Sequence, residues 1–130
     1  MKRWSFKDYL SPADTNLIAK WYRKDLSVRE QSMMDTLLTT LGNTENWSED
    51  IFRPLHGAKY AGLWEIRWRG DQKRTLRLVG YLDTDRKEFT LLIGCNHKDK
   101  IYDPPGAFDT AVDRWKLLNH GEGGICDHEI

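Results

Sequence analysis

Residues 62–82 read Gly62-Leu-Trp-Glu-Ile-Arg-Trp-Arg-Gly-Asp-Gln-Lys-Arg-Thr-Leu-Arg-Leu-Val-Gly-Tyr-Leu82, and this stretch decides the fold. Trp64, Ile66 and Trp68 alternate with Glu65, Arg67 and Arg69, the period-two pattern of a strand with one apolar face. Gly70-Asp71-Gln72 predicts a turn. Arg74 to Leu82 predicts a second strand, with Leu76 and Leu78 opposite Arg77 and Val79. Asp83 to Lys87 is a further turn. Phe89 to Cys95 is apolar almost throughout, as in a central strand covered on both faces. Three strands joined by short polar turns predict an antiparallel meander.

Upstream the period changes. Leu17, Ile18, Trp21 and Tyr22 recur at helical spacing, and Ser11-Pro12 offers an N-cap and a first helical position. Val28 to Leu41 carries Met34, Leu37, Leu38 and Leu41 on one face, and Gly42-Asn43 closes it. The two segments predict a helical hairpin or one bent helix. Trp4-Ser5-Phe6 suggests a short strand before them. Asn46 to Pro54 is expected to connect, with a turn beginning at Ser48. Downstream, Asn96 to Pro105 is expected to form a polar loop. A last helix follows, with Phe108, Ala111, Val112 and Trp115 on one face. Residues 1–120 are expected to form one domain, and the Gly-rich residues 121–130 a flexible tail. The expected class is α+β: an N-terminal helical hairpin on a small antiparallel sheet, in two layers, with a closing C-terminal helix.

The 130 residues balance 20 basic against 20 acidic side chains, so no global field draws the chain toward nucleic acid, and such a site must be a local patch. Cys95 and Cys126 have no framework spacing, which predicts reduced thiols and a cytoplasmic chain. There is no apolar signal core and no apolar run of membrane-spanning length. His120, Cys126 and His128 lack zinc-site spacing, so no metal or other cofactor is expected. No phosphate-cradling Gly loop or serine-nucleophile elbow occurs.

Several short stretches, in order, resemble the RelE/HigB-type toxins, in their phage-derived subgroup. Leu63-Trp-Glu-Ile-Arg67 resembles the family's L-x-E-L-R strand. Arg74-Thr-Leu-Arg-Leu resembles its next strand, and Leu91-Leu-Ile-Gly-Cys-Asn-His97-Lys98-Asp99-Lys100 its third strand running into a basic loop. Pro104 and the Ala111 to Arg114 helix resemble the closing proline and helix, and Pro54-Leu55-His56-Gly57 the approach to the first strand. The likeness covers roughly residues 54–118, about half the chain. The chain departs from the family's usual Lys-Lys pair at His97-Lys98, and from its usual basic charge.

The resemblance implies the toxin component of a type II toxin–antitoxin system, a metal-independent endoribonuclease acting on translated messenger RNA. Its partners would be the ribosome and a small antitoxin, often a helix-turn-helix protein encoded alongside. A ParE-like binder of DNA gyrase and an inactive phage-encoded homologue are the other readings on this fold. Ribonuclease chemistry needs a base, an acid and cations at the phosphate. The catalytic candidates are His97, Lys98, Arg67 and Arg74. The RNA-binding candidates are Arg69, Arg77, Lys100 and Tyr102. Each arginine alone also fits a solvated sheet face, and Tyr102 also fits packing against the closing helix. His56 is a further candidate, while Trp64, Trp68 and Trp115 read as core.

Overall fold

The structure is a computed structural model that describes residues 3–129. Its elements are β1 (Ser5–Leu10), α1 (Leu17–Asp25), α2 (Val28–Gly42), β2 (Phe52–Pro54), β3 (Leu63–Arg69), β4 (Thr75–Asp83), β5 (Glu88–Lys98), β6 (Ile101–Asp103), α3 (Ala107–Asn119) and β7 (Gly124–Asp127). The fold is α+β. The expected meander β3-β4-β5 forms the middle of a larger sheet, ordered β2-β3-β4-β5-β1-β7, with β6 also paired to β5. Among the described residues seven strands take part, so the sheet is not the small one expected. β1 runs parallel to β5, and the other pairs are antiparallel.

Helices cover both faces, which corrects the two-layer expectation. Ile18 and Trp21 of α1 and Met34, Leu38 and Leu41 of α2 pack on Ile66, Leu76, Leu78, Phe89 and Leu91. Ala107, Ala111 and Val112 of α3 pack on Leu63, Val79, Leu92, Ile93 and Cys95. The alternation of β3 and β4 assigns these sets. In β5 the register shifts between Val79 and Gly80, so Leu92 is an extra residue. That bulge lets Leu92 and Ile93 both join the α3-side core. Fully burying each such aliphatic side chain contributes about 1.5–3 kcal/mol.

Local chemistry explains the helix ends. The cap of α1 is Asn16, whose side chain accepts from the Ala19 N–H. The Ser11-Pro12 signal therefore marks a turn, closed by the Asp14 N–H bonding to Ser11 O, and not a helix start. α2 begins with a capping box: Ser27 accepts from the Glu30 N–H, and Glu30 accepts from the Ser27 N–H. Leu26 and Ser27 separate the two helices. The Tyr22 hydroxyl donates to Asp35 at 2.7 Å and ties them side by side.

Two expected loops are strands. The polar segment after Cys95 continues β5 to Lys98 and returns as β6, and Asp99 and Lys100 turn the chain with φ of 52° and 68°. The expected flexible tail forms β7 on the edge of β1, with Asp8 opposite Cys126. Its apolar side chain Ile125 stays half exposed, so pairing rather than burial holds it. Residue 130 of that tail lies outside the described residues. Among the described residues, no helix is long and apolar enough to cross a membrane.

Candidate functional site

The register of β3, β4, β5 and β6 lays out a polar grid on the α3 side of the sheet. Glu65 stands opposite Val79, and Val79 opposite Ile93. One row on, Arg67 faces Arg77 and Arg77 faces Cys95. In the next row Arg69 faces Thr75, Thr75 faces His97, and His97 faces Tyr102. Arg77 sits at the centre. Its guanidinium donates to Glu65 through Nη1 and to His97 Nδ1 through Nε at 3.1 Å. The Arg77 and Glu65 side chains are 12% and 7% exposed, so their charges meet away from water.

His97 is held neutral. Burial, with Arg77 next in weight, pushes its pKa below the usual histidine value. Arginine only donates, so Nδ1 carries the lone pair and the ring proton sits on Nε2. Tyr102 lies against His97 with ring centroids 4.9 Å apart, and meets Phe108 of α3 edge-on at 5.3 Å. The Arg77 guanidinium lies 5.7 Å from the Tyr102 ring centre. The phenol ring is thus packed between protein groups and positions His97. Cys95, below this layer, is fully buried, and burial pushes its thiol up to about 12, which rules out a resting thiolate.

The other sequence candidates scatter. Arg67 is half buried on the same face, with Nε 3.4 Å from the Asp50 carbonyl. Arg69 is exposed at the end of β3. Arg74 is on the opposite face: its guanidinium bonds both oxygens of the fully buried Glu30 and the Asp25 carbonyl. It does not join the patch, because it shares the strand parity of Leu76 and Leu78. Lys98 is exposed and alternates to the face away from His97, and Lys100 is exposed in the β5–β6 turn. His56 is exposed in the loop before β3. Trp64 and Trp68 pack on the α1–α2 core, and Trp115 stacks on Tyr81 at 3.9 Å.

Sequence reading missed the role of Glu65. It was legible as a carboxylate on the Arg67 face, but its partner Arg77 is set only by register. Chemically the patch offers a neutral imidazole, two arginines at one level and a third exposed beside them. Those groups suit a phosphodiester. Among the described residues no group of three or more His, Cys, Asp or Glu is placed to hold a metal ion. Comparison with protein-family models, curated proteins and solved structures finds no match.

Proposed function

We propose that this chain is a RelE/HigB-type toxin that cuts translated messenger RNA without a metal, using the patch on the α3 side of the sheet. On this reading α1, α2, the β3-β4-β5 meander and α3 are the RelE-like framework, and β2, β1 and β7 extend it at its edges. The observation that carries the reading is the Glu65–Arg77–His97 chain of hydrogen bonds, with Arg67 directly across from Arg77. It combines a titratable group near neutrality with a cluster of phosphate-binding cations.

The proposed step begins when a backbone phosphate draws the Arg77 Nε away from His97. His97 Nδ1 is then free to take the proton of the ribose 2′-hydroxyl. The 2′ oxygen forms a bond to phosphorus and the bond from phosphorus to the 5′ oxygen breaks. That oxygen takes a proton from water, the hydroxide so formed takes back the proton held on His97, and a 2′,3′-cyclic phosphate and a 5′-hydroxyl remain. Arg67 and Arg77 stabilise the charge that builds on the phosphate. Glu65 keeps Arg77 in place, and Tyr102 keeps the imidazole in place. Arg69 and Lys100 contact the flanking RNA. The partner that silences the toxin is a small cytoplasmic antitoxin whose acidic or amphipathic segment covers the arginines.

Inducing the chain alone should arrest growth, and co-expressing the adjacent antitoxin should relieve the arrest. His97→Ala and Arg67→Ala should each restore growth at equal soluble expression. Unimpaired growth with wild type would refute a toxin. Arrest with intact messenger RNA and inhibited gyrase supercoiling would replace the ribonuclease with a gyrase binder.

A further inference from the structure

One edge of β5 is interrupted. β1 pairs along it only as far as Leu91, and β6 joins it only at Asn96. Among the described residues no strand pairs with residues 92–95 on that side, and β4, which carries Arg77, occupies the other. A cleft of about 230 Å³ opens at the gap, between α1, β5, the end of β6 and α3. That is smaller than a drug-sized site and suits one compact polar group on a short stem. Trp21 and Gly94 line it where the indole rests on the strand backbone.

Arg114 reaches this gap from α3. Its Nη1 donates to the Leu92 carbonyl at 2.7 Å, and its guanidinium lies 5.4 Å from the centre of the Tyr9 ring. Those two contacts fix the group from two sides. Nε and Nη2 have no hydrogen-bond partner among the described residues, and both keep contact with solvent. This pair of donors is the fork that meets an oxyanion with two parallel bonds. Burial pushes the Arg114 pKa below the ordinary arginine value, and the Tyr9 phenol opposes that without help from any carboxylate. A guanidinium drawn partly out of water with no counter-ion is unfavourable, and a bound anion offsets the cost. Lys20 and Lys24 stand one turn apart on the face of α1 that lines the cleft, exposed and without an ion pair among the described residues. Asp25 and Asp103 line it too, both exposed, so three cations meet two carboxylates. Charges at the exposed rim are screened by water and salt, which leaves the half-buried Arg114 to dominate.

We infer that this cleft binds the phosphate group of a small phosphorylated molecule, with Arg114 Nε and Nη2 donating to two of its oxygens and Lys20 and Lys24 closing over the third. A phosphate monoester carries nearly two negative charges at neutral pH and three strong acceptor oxygens. That matches one fork and two ammonium groups better than the single charge of a carboxylate does. The cleft uses no residue of the His97 patch and does not depend on its chemistry.

The test is a titration of the full chain with ethyl phosphate at constant ionic strength, followed by NMR at the Arg114 Nε–H and the Trp21 backbone amide. Acetate and ethanol serve as carboxylate and neutral controls. Ethyl phosphate should shift both probes saturably, acetate should bind about tenfold more weakly or not at all, and ethanol should leave both in place. The double variant Lys20→Gln with Lys24→Gln should weaken ethyl phosphate binding at least about tenfold, with the backbone amide spectrum otherwise unchanged. Both shifts should persist in Arg67→Ala, which removes a cation of the His97 patch. Absence of a saturable shift, an equal response to acetate, full-strength binding by the double variant, or loss of the shifts in Arg67→Ala would overturn the inference.

Discussion

Arg74, the residue before β4, and Arg77 within it stand three residues apart and have opposite lives. Arg74 closes over Glu30, which burial alone would raise. Bonds from Arg74 and from the Ser27 and Asp71 backbone N–H groups outweigh burial and bring its pKa down to about 2 from 4.5. A carboxylate with a depressed folded pKa stabilises fully above its unfolded value, and that stability is lost as pH falls toward the folded one. Urea midpoints should therefore drop between about pH 4.5 and pH 2, and Arg74→Ala should remove most of that dependence. The same variant should lose about 3 kcal/mol at neutral pH, because it strands a buried carboxylate. The sequence reading counted Arg74 among the catalytic cations, whereas the structure turns it to the face of Leu76, onto Glu30. Its partner, 44 residues away on a helix, was beyond any local pattern. Arg67, Arg77 and His97 were legible because alternation and the strand-to-turn position are local. For His97, whose folded pKa is lowered, the neutral base persists below the usual histidine range. The acid limb of a cleavage pH profile should accordingly lie below pH 6.5, and a limb above that value would contradict the assigned environment.

At the scale of elements, helix existence and the meander were readable, and pairing partners were not. β1 enters the sheet by parallel pairing with β5, more than 80 residues later, so its six residues show only a weak strand signal. The first helix begins at Asn16 because that side chain satisfies a backbone N–H and Asp8 together, whereas Ser11-Pro12 satisfies only a local rule. β5 also depends on a glycine. A Cβ at Gly94 would lie 2.2 Å from the Trp21 ring, so the indole of α1 rests directly on the strand backbone. Gly94→Ala should cost about 1–3 kcal/mol by overpacking, measured by denaturant midpoint. It should leave cleavage per folded molecule unchanged, because Trp21 is on the face away from His97.

For the whole molecule, the C-terminal strand joins the beginning of the chain to its end. The three glycines of residues 121–130 suggested fraying, and composition gave no hint that Asp8 awaited His128. A chain ending at His120 removes β7 and leaves Asp8 with Asn16 as its remaining side-chain bond. It should lose about 3 kcal/mol of stability by thermal or urea unfolding, since a buried charge loses its partner. Equal stability would mean that β7 only rests on the edge. Charge also belongs to this scale: with 20 basic and 20 acidic side chains, the proposed attraction to RNA would come from a local patch, the arginines around His97 together with Lys100. The most direct measurement is therefore the chemistry of the RNA ends, mapped on messenger RNA from cells inducing wild type or His97→Ala. Wild type should leave new 5′-hydroxyl ends opposite 2′,3′-cyclic phosphates, and His97→Ala should leave none. Ends bearing 5′-phosphates, or cutting by His97→Ala at the wild-type level, would contradict the account.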